Sequence, residues 1–130
     1  MVTGDELVGR LERGEIPCDS FHHFDHVQLA FTYLSRHPVL EALQKFVDAI
    51  STFAASCGKP DRYNETITFA YFFLIRERMA RSQASGWDEF RDKNPDLLTW
   101  KGSILGCYYS EETLKSDLAR SVFLLPNRCL

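Results

Sequence analysis

Three histidines fall within five residues, in the run Phe21-His22-His23-Phe24-Asp25-His26, and no other stretch of the chain concentrates as much chemistry. His22 and His26 stand at i and i+4, His23 and His26 at i and i+3. On a helix either spacing turns two imidazoles to one face, where they can meet one ion or one substrate. Near a helix N-terminus the positive end of the macrodipole disfavours imidazolium, so the rings are biased to the neutral form that ligates metals or accepts protons. Glu65, a carboxylate on a facing helix, would complete a two-histidine, one-carboxylate set with positions left open for water or substrate. The expected metal ligands are therefore His23, His26 and Glu65, with His22 as a further imidazole, and the metal a divalent Zn, Fe or Mn. Asp19, Asp25 and Tyr63 are candidate partners for the ring N–H groups. Alternatively the cluster is structural, with half-buried histidines bonded to a neighbouring carboxylate and Glu65 in an ion pair that ties two helices together.

Helices must position these groups, and the sequence is patterned for helices throughout. From Pro38 to Cys57, Val39, Leu43, Phe46, Val47, Ile50, Phe53, Ala54 and Cys57 recur at spacings of three and four, opposite Glu41, Gln44, Lys45, Asp48 and Ser51. Pro38 suits the first turn and Gly58 the position past the last. A short N-terminal helix is expected from the capping-box spacing of Thr3 and Glu6, ending at Gly14 and burying Leu7, Val8 and Leu11. After Pro17, Asp19 or Ser20 can cap a helix from about Phe21 to Arg36, on which His23, His26, Val27, Ala30 and Leu34 share one arc flanked by Tyr33. A third long helix runs from about Asn64 to Ser82. It is apolar nearly all round between Ile67 and Ile75, the mark of a central helix. Trp87 and Phe90 suggest a short helix that ends at Asn94-Pro95. A final helix from Ser110 carries Leu114, Leu118 and Val122 until Pro126 stops it. The expected fold is all-α: a compact bundle of three long helices with shorter N- and C-terminal helices, residues 1–130 forming a single helical domain. Tight connections place the starts of the Phe21 and Asn64 helices at one end of the bundle, which brings the histidines to Glu65.

Composition narrows the function classes. Eighteen acidic against fifteen basic side chains give a formal net charge of -3. That balance opposes general nucleic-acid binding. The longest apolar run, Phe69 to Ile75, is far short of the roughly twenty residues that span a bilayer. The first residues do not read as a signal peptide, so a cytoplasmic protein is expected. Cys18, Cys57, Cys107 and Cys129 form no C-x-x-C pair and are expected to be free thiols, Cys57 serving as a small hydrophobe. No Gly-rich phosphate loop, nucleophile elbow or H-E-x-x-H is present. Arg76 shares an angular face with Glu65, Phe69 and Phe72 and is a candidate for a buried carboxylate or an anionic ligand. Tyr33, Tyr71, Tyr108, Tyr109 and Trp100 could line an aromatic pocket, although most aromatics in a small helical domain are core.

The run Phe21-His22-His23-Phe24-Asp25-His26, followed by Tyr63-Asn64-Glu65-Thr66-Ile67-Thr68, resembles a group of small helical bacterial proteins without an assigned function, whose pattern is F-x-H-x-x-H and then Y-H-E-T-x-T. The resemblance covers the chain from Phe21 to about Met79. It singles out His23, His26, Glu65, Thr66 and Thr68 over His22, and Asn64 departs from the pattern's histidine. The function expected is a polar pocket that holds a divalent metal or a small molecule, with Glu65, Thr68, Arg76 and Tyr33 facing the ligand and the imidazoles available for acid-base work. The alternative is a non-enzymatic interaction module or homodimer whose aromatic faces pair and whose histidines are structural.

Overall fold

The computed structural model describes residues 2–128, so Cys129 lies outside the described residues. All regular structure among them is helical. The seven α-helices are α1 (Gly4–Glu12), α2 (His23–Arg36), α3 (Val39–Ser56), α4 (Glu65–Ser82), α5 (Trp87–Lys93), α6 (Glu111–Leu114) and α7 (Asp117–Ser121). Three 3-10 turns, Pro60–Arg62, Pro95–Leu97 and Ile104–Cys107, join them. No helix among the described residues is long and apolar enough to cross a membrane.

Capping residues explain most of the boundaries. The Thr3 hydroxyl accepts from the Glu6 N–H and opens α1, which buries Leu7, Val8 and Leu11. Gly14, at φ +69°, turns the chain out of it. Neither Asp19 nor Ser20 caps α2; His22 holds the cap position, and the Asp25 carboxylate reaches back to its N–H at 2.9 Å. Pro38 precedes α3 and Gly58, at φ +73°, follows it. The Asn64 side chain caps α4 by accepting from the Ile67 N–H at 2.9 Å, while its amide donates to the Leu114 carbonyl at 2.8 Å.

The most buried helix is α2. All seven residues from Val27 to Tyr33 are buried, and α2 packs against α1, α3, α4 and α5. Two of the seven are polar and are satisfied locally: Thr32 donates to the Gln28 carbonyl and Gln28 to the Val2 carbonyl. Helix α1 lies close on α2, because a Cβ added at Gly4 would stand 2.3 Å from the Thr32 hydroxyl oxygen. The Asn64–Ser82 helix, expected to be central, packs against α2, α3, α5, α7 and the Ile104–Cys107 turn but is not covered all round. Phe72 and Ile75 are fully buried, each burial contributing about 1.5–3 kcal/mol, but Phe73 is exposed.

Two further expectations are revised. Cys18 and Cys57 are not free thiols; they form a disulfide that ties the segment before α2 to the end of α3. Cys107 is free and exposed. The single helix expected from Ser110 is broken into α6 and α7, because the Ser116 hydroxyl accepts from the Ala119 N–H at 3.1 Å and starts a new helix. Ala119 is then the buried residue of α7, and Leu118 and Val122 are exposed.

Candidate functional site

At one end of the long helices a cavity of about 840 Å³ opens between the first turns of α2 and α4. Its apolar wall includes Phe21, Phe46, Ile50, Ile67 and Ile75. His22, His23, His26, Tyr63 and Thr68 supply the polar side, and Arg62 stands at the edge.

Each inner histidine is held by a backbone carbonyl. His23 Nε2 lies 2.8 Å from the Leu97 carbonyl, and His26 Nδ1 lies 2.9 Å from that of His22. A carbonyl only accepts, so each of these nitrogens carries the proton. His23 Nδ1 and His26 Nε2 keep their lone pairs. Burial pushes both imidazoles below their ordinary value, against the opposing pull of those carbonyls, which keeps the rings neutral. The Leu97 carbonyl is itself fixed from α4: Arg78 donates to Asn94 Oδ1 at 2.9 Å and forks onto the Asp96 carboxylate at 2.7 and 3.0 Å, pinning the loop in which Leu97 lies. Aromatic rings hold the imidazoles laterally. His23 has Tyr71 at 4.8 Å and Trp100 at 5.4 Å between centroids, and His26 has Phe21 at 4.4 Å.

Glu65 sits next to this cavity without lining it. Its carboxylate accepts the Tyr63 hydroxyl, and Tyr63 in turn faces the cavity. Burial, then the Glu65 contact, raise the Tyr63 phenol well above its ordinary range and keep it protonated as a donor. Among the described residues no three His, Cys, Asp or Glu side chains form a group that could hold a metal ion. With Glu65 turned to Tyr63, no third ligand groups with His23 and His26 among the described residues, whereas a catalytic zinc usually has three.

Compared with protein-family models, curated proteins and solved structures, the chain matches none. The site is therefore read from its own residues.

The sequence-based candidates separate clearly. His22, His23, His26 and Thr68 share the cavity, His22 as an exposed rim residue. Tyr33 does not reach it: the side chain is buried and its hydroxyl donates to Glu12 at 2.9 Å, joining α2 to α1. Arg76 is exposed on α4 and does not line the cavity. Thr66, singled out by the resemblance, has another task. Its hydroxyl donates to the Val122 carbonyl at 2.8 Å and accepts from the Leu124 N–H at 3.0 Å, anchoring the segment after α7. Of the aromatic candidates, Tyr71 and Trp100 line the cavity, whereas Tyr109 is buried with its hydroxyl on the Leu124 carbonyl. Arg62 escaped the sequence analysis altogether. It lies in a 3-10 turn packed on α3, where no periodicity signals its orientation.

Proposed function

We propose that the chain binds a small organic molecule in the cavity between α2 and α4, with the apolar body against Phe46, Ile50 and Ile67 and the polar end among His23, His26, Tyr63 and Thr68. The observation that carries this proposal is a cavity within the usual size range of ligand sites, with two neutral imidazoles of fixed tautomer at one end. Their lone pairs accept hydrogen bonds from a ligand and can take a proton from it. The three long helices act here as a bundle around one site. Kinship with the small helical bacterial proteins is part of the proposal, supported by the meeting of His23, His26 and Thr68 in one cavity. The Cys18–Cys57 disulfide favours an oxidising compartment over the cytoplasmic location expected from the sequence.

A thermal-shift screen of a small-molecule collection against the wild type and the cavity-filling Ile67→Trp variant tests the proposal. Stabilising compounds should lose their effect in the variant. Hits that stabilise both proteins equally would refute it. Elemental analysis of untagged protein, with and without His23→Ala and His26→Ala, tests whether a divalent Zn, Fe or Mn ion belongs to the same site.

A second function is favoured by one feature. Phe73 on α4 and Leu118, Val122, Phe123 and Leu125 at the C-terminal side are all exposed, and Phe123 stacks on Phe69 at 5.7 Å. Apolar side chains gathered outside the core support an interaction module or homodimer, which sedimentation of the wild type against Leu118→Lys would detect.

A further inference from the structure

The lining of the cavity is one-sided in charge. The chain carries eighteen acidic residues, yet no Asp or Glu lines the cavity. The same holds for a neighbouring cavity of about 310 Å³ on the far side of Phe21 and His26, which is lined in part by Cys18, Cys57 and Lys59. Two carboxylates close in sequence to the lining are turned to other tasks, Asp25 to the His22 N–H and Glu65 to the Tyr63 hydroxyl, and Asp61 beside Arg62 is exposed. Arg62 borders both cavities. Its guanidinium is exposed and, like those of Arg10 and Arg76, meets no ion-pair or hydrogen-bond partner among the described residues, while Arg13, Arg36, Arg78, Arg81 and Arg120 pair with carboxylates. The N-terminal end of α2 also opens here, with the Asp25 carboxylate bonded at its cap.

Taking the cavity as a small-molecule site, we propose that its occupant is an organic anion, an aromatic or aliphatic carboxylate whose charged end meets Arg62 and whose body lies along Phe21, Phe46 and Ile50. A guanidinium presents parallel donors that match a carboxylate bidentately, and it keeps its charge at any working pH. The Tyr63 hydroxyl already donates to Glu65, so Arg62 is the donor that meets the ligand, and no carboxylate in the lining repels it. A cationic ligand would find Arg62 and no carboxylate in the lining. A neutral one would leave the exposed guanidinium to water.

The test compares biphenylacetate with its neutral isostere biphenylacetamide by isothermal titration calorimetry at low salt, near neutral pH. The wild type should bind the carboxylate about tenfold or more tightly than the amide, the range of a hydrogen bond to a charged group. Arg62→Gln should remove most of that ratio, whereas Arg76→Gln, an exposed change outside the lining, should keep it. Equal affinities in the wild type, both abolished by Ile67→Trp, would overturn anion selection and leave the small-molecule site standing. A ratio retained in Arg62→Gln would overturn the assignment of Arg62. Binding of either probe that survives Ile67→Trp, or no binding of either, would remove the site and the anion together.

Discussion

Breaking the bridge between Cys18 and Cys57 should cost the protein a large part of its stability, and the cost can be worked from the sequence separation of the pair, 39 residues. In the chain-entropy account a closed loop of that length removes about 13 cal/mol/K from the unfolded state, or about 4 kcal/mol at 25 °C. Unfolding entropy of about 2.1 cal/mol/K per residue, taken over the 130 residues, converts this into a fall in melting temperature of about 14 °C. The clean perturbation is Cys18→Ser, because Cys18 is exposed and its replacement removes little packing, whereas Cys57 is half-buried. Cys107 and Cys129 are first changed to serine so that no other pairing forms. Calorimetric melts with and without reductant supply the measurement, and thiol titration in denaturant confirms the oxidation state. The variant should melt low in both conditions and the parent only in the reduced one. The site should respond as well. Phe21, three residues beyond Cys18, packs on His26 and, at 5.1 Å, on Phe53, so freeing the segment loosens one wall of the cavity. A shift below about 3 °C for an oxidised-to-reduced change would refute this account, because it would mean that the unfolded chain gains almost no freedom from the cut.

The remaining predictions concern the histidines and the C-terminal segment. Burial holds His23 and His26 below their ordinary 6.5, so the unfolded chain takes up protons first as the pH falls. Their contribution to stability is whole above about pH 6.5 and is lost as the pH drops from there through the depressed folded-state values. Urea titrations across that interval should show the slope, with His22, Asp25, Arg62 and Tyr63 as the surrounding groups, and the His23→Gln/His26→Gln double variant should flatten it; an unchanged slope in the variant would sink the assignment. Thr66→Val keeps the shape of a fully buried side chain but strands the Val122 carbonyl and the Leu124 N–H. It should cost about 1–3 kcal/mol in denaturant titrations and speed hydrogen exchange at Leu124, while a neutral result would show that water replaces the hydroxyl.

Helix boundaries were legible where the ends are chemically marked. Thr3, Gly14, Gly58 and Asn64 act at the ends where their types suggest, and the long helices begin and end within two residues of expectation. Hydropathy overstated how fully α4 is covered. It counts Phe73 as core although that ring stands outside, edge-on to Phe72, and it discounts Gln28 and Thr32, which can be buried because each donates to a nearby carbonyl. The convergence of His23, His26 and Thr68 could be anticipated from short connections, since hairpin topology brings alternate helix starts together. The Cys18–Cys57 pairing, the turn of Glu65 to Tyr63 and the seat of Arg62 are tertiary facts. Each depends on how a loop lies against α3 or α4, and loops carry no period from which to read it.

The attachment of Thr66 to Leu124 has a consequence in time. The two residues are 58 positions apart, so at a synthesis rate of about 5–20 residues per second the acceptor waits about 3–12 s for its donor to be made. Helices and short loops form in microseconds or less. The α2–α3 hairpin and the first turns of α4 can therefore be in place long before the segment that pins them exists. Once Trp100 has completed the lining, the newborn chain presents the cavity with its α4 wall not yet anchored at Thr66, and a ligand present during translation would meet a looser site than the one the finished protein keeps.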